Sequence, residues 1–171
     1  MKTDVLVVGA GPAGLAVAGC LVQRGLQPLV IDKAQHVGAA WRGHYERLHL
    51  HTVKALSALP GLAFAIDAPR YVPRPGVVDY LTGYARHHGV EPLFGEEALA
   101  IAPGDTGWRT RTATGRELTS RSVVLASGAN NIPVVPAITG QTSFQGRVLH
   151  SRDYRNAAAF AGQRVLVVGM G

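Results

Sequence analysis

Short apolar runs alternate with helix-forming residues in the first part of the chain. Residues 5–8 (VLVV) and 28–31 (PLVI) are apolar throughout, as is typical of parallel strands that are buried on both faces of a sheet. Between them, residues 13–24 are rich in Ala, Leu and Val and are followed by Gly25, which predicts a helix that ends there. The pattern predicts a β-α-β unit of about 30 residues.

Farther along the chain, the hydrophobic pattern predicts one more helix and a series of strands. Apolar residues recur at helical spacing in residues 75–89, which predicts an amphipathic helix. Strands are predicted at residues 90–94, 98–102, 108–113, 116–118 and 122–127, and turn sequences connect the middle three into a meander. The strand at 122–127 is largely apolar and is expected to be central, and another strand is predicted to begin at residue 164. Together these elements indicate an α/β fold with a parallel sheet.

Three glycines connect the first predicted strand to the first predicted helix. Gly9, Gly11 and Gly14 have G-x-G-x-x-G spacing, which serves a tight turn, the close approach of a pyrophosphate, and the close packing of helix on strand. Pro12 suits the first helical turn, and from Ala13 onward the free N–H groups and the positive end of the helix dipole would point at a phosphate. These residues predict an anion site made from backbone. The alternative is a glycine-rich turn without a ligand.

The second predicted strand leads to Asp32 and Lys33. An acid about 20 residues beyond the glycines is placed to accept hydrogen bonds from the 2′ and 3′ hydroxyls of an adenosine ribose. Its charge would repel a 2′-phosphate. This first site therefore favours FAD or NAD over NADP.

Composition narrows the classes of function. With 171 residues, 47% hydrophobic and 16% charged, the chain suffices for one globular domain and is too short for two typical ones. The net charge of +6 comes mostly from scattered arginines, so nucleic acid is not an expected partner. Cys20 is the single cysteine, which argues against a redox dithiol, and the histidines lack the spacing of a metal site. Without a signal peptide or an apolar stretch of about 18 residues, a soluble cytoplasmic protein with no membrane partner is expected.

Four motifs resemble those of flavin-containing monooxygenases. Residues 38–41 (GAAW) resemble the family's G-G-x-W, and residues 45–54 (YERLHLHTVK), followed by Leu59 and Pro60, resemble the Y-D-R-L-x-L-H-x-x-K…L-P run of the plant YUCCA-type branch. Residues 126–136 (ASGANNIPVVP) resemble A-T-G-x-x-x-x-P-x-x-P. Residues 144–154 fit F-x-G-x-x-x-H-x-x-x-Y, the linker signature of flavin-dependent N-, S- and Baeyer–Villiger monooxygenases, and the final Tyr154 favours the YUCCA-like or heteroatom-oxidising branch. Ala39, Glu46 and Ser127 depart from the family's usual residues.

The resemblance implies a Rossmann-like FAD-binding domain of the two-dinucleotide-binding-domain flavoprotein type, in which a β-meander replaces one crossover helix of the parallel sheet. It implies an FAD-binding domain at residues 1–140 without its C-terminal return segment, an interdomain linker at residues 141–163, and the first strand of an NAD(P)-binding domain at residues 164–171. On this expectation the chain is truncated before the NADPH domain, and most of the NADPH site is missing.

The resemblance also implies which residues lie near FAD. Besides the glycine motif and Asp32 with Lys33, these are Ala40, Trp41, His51 and Thr52 near the flavin, Ala98 against the adenine through its backbone, and Ser127 and Gly128 at the pyrophosphate. Alternatively, Trp41 is a packing residue and His51 a satisfied loop histidine. His51 and His150 are weak candidates for a catalytic role, and for His150 an anchoring role in the interdomain connection is favoured.

The activity implied by the resemblance is FAD-dependent oxygenation. NADPH reduces FAD, the reduced flavin adds O₂ at C4a, and the peroxyflavin passes one oxygen atom to a small-molecule substrate. One alternative is an FAD-dependent NAD(P)H oxidoreductase or dehydrogenase without oxygenation, and another is a non-catalytic FAD-binding fragment. The sequence predicts neither the substrate nor the oligomeric state.

Overall fold

The fold begins with the predicted β-α-β unit. The computed structural model describes residues 1–129 and 132–169. Strand β1 (Lys2–Val8), helix α1 (Pro12–Val22) and strand β2 (Leu29–Asp32) follow one another, and the two strands are parallel neighbours. Successive side chains of β1 are buried on opposite faces of the sheet, which explains why the sequence of this strand is apolar without alternation.

Three further helices and a short strand follow. Helices α2 (Ala39–Arg42) and α3 (Lys54–Ser57) are single turns, and α4 (Arg74–His87) is the predicted amphipathic helix. Helix α4 packs against α1, where a Cβ at Gly19 would lie 2.6 Å from the hydroxyl of Tyr84, so only glycine leaves room for that ring. Strand β3 (Leu93–Phe94) pairs in parallel with β2. No helix in the described ranges is long and apolar enough to cross a membrane.

Strands β4 (Ala98–Gly104), β5 (Gly107–Thr112) and β6 (Glu117–Leu125) form the predicted meander, and the six-stranded sheet has the order β3-β2-β1-β6-β5-β4. The prediction of separate strands at 116–118 and 122–127 was wrong, because β6 is one continuous strand. Its first half pairs antiparallel with β5, and the strand also pairs in parallel with β1. The polar residues 119–121 do not interrupt β6 because backbone pairing, and not apolar burial, carries the strand through them.

Two hydrophobic clusters lie on opposite faces of the sheet. The larger one contains Val7 and Val30 of the sheet together with Leu15 of α1 and Leu81 of α4. The smaller one contains Leu6, Ile31 and Leu118, and it joins β1 and β2 to the meander. Hydrophobic clusters on both faces of the sheet therefore support the strands β1, β2 and β6 up to the edge where they end.

After β6 the described chain contains turns and no strand. Single 3-10 turns lie at Gln141–Ser143, Ser151–Asp153 and Ala158–Phe160. The strand predicted from residue 164 is not formed in residues 164–169, because none of the described residues supplies it with a pairing partner. Met170 and Gly171 of the predicted strand lie outside the described residues, as do Asn130 and Asn131 of the motif at residues 126–136. The boundaries of the three predicted units remain predictions.

Candidate functional site

The turn between β1 and α1 is tightly packed at two of its three glycines. Gly9 has φ +116°, in the left-handed region, and a Cβ there would overlap the carbonyl oxygen of Ala126 just beyond β6. A Cβ at Gly14 would overlap the carbonyl oxygen of Gly9. The backbone N–H of Gly9 also donates to Ile31 O at 2.8 Å. Gly9 and Gly14 are therefore required by the packing of the chain itself.

The packing of the chain does not require a glycine at the middle position, Gly11. Its φ of −83° suits any residue, and a Cβ would have no atom of the described residues within 4 Å. Folding alone would tolerate a larger residue at this position. A glycine facing open space is what the close approach of a pyrophosphate requires, so this turn fits the predicted ligand.

Helix α1 offers free backbone donors beside that open space. Gly11 is its N-cap, no described side chain caps it, and its first turn contains no acidic residue. The N–H of Leu15 donates to Gly11 O at 2.9 Å. The N–H groups of Ala13 and Gly14 therefore have no acceptor within the helix, and Pro12 has no N–H. Two donors and the positive end of the helix dipole are available to an anion.

Asp32 lies beside this turn, at the end of β2. Its Oδ2 accepts a hydrogen bond from Ala10 N at 2.7 Å, and its Oδ1 accepts one from Ala34 N at 2.8 Å. These bonds fix the carboxylate next to the glycines, and each oxygen retains capacity for a further donor. Lys33 is directed to Glu97, 3.7 Å away, in an exposed ion pair. The predicted ribose contact of Asp32 remains a prediction that this geometry supports.

The end of β6 meets the glycine turn from the other side. Ala126 N donates to Val8 O at 2.8 Å, and the exposed Ser127 and Gly128 come next in the chain. The structure thus brings Ser127 and Gly128 to the turn where the motif places them. Ala98 lies apart from them, at the start of the edge strand β4, and its predicted contact with adenine remains a prediction.

The single turn α2 carries Ala40 and Trp41. Gly38 N donates to Ala10 O at 3.2 Å, which ties the start of α2 to the glycine turn. Ala40 is exposed, whereas Trp41 is half-buried and packs against the larger hydrophobic cluster. Trp41 therefore has a packing role, and its predicted place near a flavin remains a prediction.

His51 and Thr52 lie in a segment that Lys54 holds in place. Both residues are exposed, and the hydroxyl of Thr52 is 2.6 Å from that of Ser57. The ammonium of Lys54 donates to three carbonyl oxygens of the facing loop, those of Ala65 (3.1 Å), Ile66 (2.8 Å) and Ala68 (2.6 Å). Sequence reasoning assigned no role to Lys54, although the Y-D-R-L-x-L-H-x-x-K motif contains it, because its acceptors are backbone groups and leave no sequence signal.

His150 caps a turn of the predicted linker. Its Nδ1 accepts a hydrogen bond from Arg152 N at 3.1 Å, at the start of the turn Ser151–Asp153. The ring of Tyr154, which ends the linker signature, lies 6.2 Å from the ring of Tyr45 in the loop after α2. These contacts favour an anchoring role for His150 over a catalytic one.

Away from the glycine turn, α4 and the residue after it bury two titratable side chains. The hydroxyl of Tyr84 donates to Pro60 O at 2.7 Å, and burial raises the pKa of Tyr84 to about 12. His88 is only 8% exposed, with its ring 4.4 Å from that of Tyr84. Burial, and then the neighbouring His87, lower the pKa of His88. Among the described residues, no three His, Cys, Asp or Glu side chains are grouped so that they could hold a metal ion.

A family model places the chain among known proteins. The family described as pyridine nucleotide-disulphide oxidoreductase matches residues 6–171. The chain belongs to this family. The matched residues include the glycine turn and Asp32.

The chain is also similar to flavin monooxygenases. The chain is 40% identical to the indole-3-pyruvate monooxygenase YUCCA1 of Oryza sativa subsp. japonica, over 97% of the chain and 42% of that protein. It is 38% identical to YUCCA6 of Arabidopsis thaliana, over 99% of the chain and 42% of that protein. The structure of a flavin-containing monooxygenase from Stenotrophomonas maltophilia matches 94% of the chain and 49% of its own length, with 30% identity and a TM-score of 0.86.

These similarities confirm two predictions, the Rossmann-like α/β fold and the resemblance to flavin-containing monooxygenases. The chain spans less than half the length of each of the three proteins.

Proposed function

We propose that this chain forms the FAD-binding part of a flavin-dependent monooxygenase that uses NADPH and O₂. The observation that carries the proposal is Gly11, which faces open space that folding does not need, next to free helix donors. The class of reaction is supported by the similar proteins, which are named as monooxygenases. Gly9 and Gly14 shape the turn, and Gly11 leaves room for the ligand.

The pyrophosphate and the adenosine ribose of FAD have candidate partners in the chain. The N–H groups of Ala13 and Gly14 would donate to pyrophosphate oxygens, whose charge the dipole of α1 stabilises. Asp32 would accept hydrogen bonds from the ribose hydroxyls, since its carboxylate is already fixed beside the turn. Bound FAD would supply the redox chemistry, namely electron transfer from NADPH and the reduction of O₂ by which one oxygen atom enters a small-molecule substrate and the other leaves as water.

The flavin end would lie toward Ala40, Trp41, His51 and Thr52. Trp41 is held by the hydrophobic cluster behind it, and Lys54 fixes the segment that carries His51 and Thr52. Side chains that are held in this way can exclude water from a reactive ring without having to be ordered when the ligand binds. His150 has an anchoring role on this proposal, because its Nδ1 accepts the hydrogen bond from Arg152 N that caps the turn.

A reductase or dehydrogenase without oxygenation is the second candidate, because the family description covers oxidoreductases more broadly. The two differ in the fate of the electrons, so they are separated by an assay of the full-length protein with NADPH and O₂. Oxygenated product formed in step with NADPH consumption supports the monooxygenase. NADPH consumption without oxygenated product supports the second candidate.

Binding of FAD to the 171-residue chain tests the proposed site directly. We expect saturable quenching of flavin fluorescence when the chain is added, and competition by ADP, which carries the pyrophosphate and the adenosine alone. FMN is the control ligand, and it should bind more weakly because it lacks the groups that Asp32 would hold. A folded chain that binds neither FAD nor ADP would contradict the proposal.

A further inference from the structure

Glu96 is a buried carboxylate in the turn between β3 and β4. It is 3% exposed, and its side chain reaches the turn between β5 and β6. Its Oε2 accepts a hydrogen bond from the hydroxyl of Thr114 at 2.6 Å, and its Oε1 lies 2.7 Å from the guanidinium Nε of Arg116. Hydrogen bonds from Thr112 and Thr114 are the largest causes that lower the pKa of Glu96, with a further contribution from Arg116. The carboxylate is therefore bound in its charged form.

The backbone of the same turn holds the residues around Asp32. Glu96 N donates to Asp32 O at 3.0 Å, and Gly95 N donates to Ala34 O at 3.0 Å. Ala34 N in turn donates to the Asp32 carboxylate at 2.8 Å. The segment from Asp32 to Ala34, which positions the Asp32 carboxylate, is thus held by the backbone N–H groups of residues 95 and 96.

We propose that Glu96 is a positioning residue for Asp32 and sets how strongly the site prefers an adenine nucleotide with a free ribose 2′-hydroxyl. The inference rests on the proposed function, in which Asp32 accepts hydrogen bonds from that ribose. Glu96 does not contact the nucleotide. It fixes the turn whose N–H groups hold the carbonyls of Asp32 and Ala34.

The burial of the charged Glu96 side chain supports a role in positioning Asp32. Burying a carboxylate is costly, and the cost is offset only when hydrogen bonds and an opposite charge are arranged around it. Thr114 and Arg116 supply both, and they lie on the meander. Through Glu96, the meander is therefore linked to the edge of the sheet where the nucleotide would bind.

The test compares two ligands, ADP and 2′-deoxy-ADP, which differ in the hydroxyl that Asp32 would hold. A hydrogen bond to a charged group predicts that the wild-type chain binds ADP about 10- to 100-fold more tightly, measured by calorimetric titration. In Glu96→Met, which keeps the size of the side chain but removes both acceptors, we expect this ratio to fall to about threefold or less. Glu96→Gln retains one acceptor and should have an intermediate ratio.

A matched control is Glu117→Met, since Glu117 is an exposed residue of the same meander that pairs with Arg109. It should retain the wild-type ratio. If Glu96→Met does not fold, Thr114→Val takes its place, since it removes one of the hydrogen bonds to Glu96 and should also lower the ratio.

The outcomes separate positioning from simple stability. A loss of affinity for both ligands by the same factor, or an unchanged ratio in Glu96→Met, overturns the inference and leaves the proposed function intact. A wild-type chain that binds ADP but does not distinguish it from 2′-deoxy-ADP overturns the ribose contact of Asp32 and this inference with it. A folded wild-type chain that does not bind ADP overturns the proposed function as well.

Discussion

Replacement of Gly11 by valine separates ligand binding from folding. The backbone at Gly11 has φ −83° and ψ −175°, which valine adopts readily, and a Cβ there has no described atom within 4 Å. The branched side chain would occupy the space beside the N–H groups of Ala13 and Gly14. We therefore expect a folded protein that has lost most of its affinity for FAD.

The size of the effect follows from the two donors. A hydrogen bond to a charged group contributes about 1.5 to 3 kcal/mol, so losing both costs about 3 to 6 kcal/mol and weakens binding by about 140- to 20,000-fold. The cost to folding is much smaller. Replacing a glycine restricts the unfolded chain and stabilises by about 0.4 to 1 kcal/mol, which roughly offsets the loss of about 1 kcal/mol from a poorer N-cap.

The measurement is the Kd for FAD, by quenching of flavin fluorescence, together with the Tm of each variant. Gly83→Val is the matched control, because Gly83 of α4 also has no described atom within 4 Å of a Cβ position and lies away from the glycine turn. It should bind FAD as the wild type does. A Gly11→Val protein that binds FAD within about threefold of the wild type would refute the pyrophosphate assignment.

Two further predictions concern stability. Gly14→Ala should unfold the chain or lower its free energy of unfolding by at least about 2 kcal/mol, because the new methyl would overlap the carbonyl oxygen of Gly9; a chemical-denaturation curve that coincides with the wild type would contradict this. Burial keeps the pKa of His88 below its ordinary 6.5, so the stability from its neutral form is present above that pH and is lost as the pH falls below it. Between about pH 8 and about pH 5, the fall in Tm should therefore be smaller for His88→Phe than for the wild type. The exposed control His36→Phe should show the same fall in Tm as the wild type.

The β-α-β unit was predictable because its signals are local. The apolar runs, the glycine spacing and Asp32 all lie within a short stretch, and each has a physical reason that acts between neighbours in sequence. The structure adds a distinction that spacing alone does not make: Gly9 and Gly14 are needed for packing, and Gly11 is not. The boundaries of the longer helices were also near those observed, because their apolar spacing is clear.

The errors and omissions arise from contacts between distant residues. The sequence pattern divided β6 in two because its middle is polar, yet the backbone of β1 and β5 pairs with it there. The roles of Lys54 and Glu96 were missed because they depend on carbonyls, hydroxyls and a guanidinium brought near by the fold. The apolar run after residue 164 was read as a strand, but a strand forms only where a partner is present.

The pairing of β1 with β6 has a consequence for synthesis of the protein. The first residue and Glu117 are joined by a hydrogen bond across a separation of 116 residues. At a translation rate of about 5 to 20 residues per second, β1 must wait roughly 6 to 23 s for this partner to be made. During that interval β2 can pair with only one edge of β1, so the edge that β6 later occupies stays open in the nascent chain and could pair with the strands of other chains.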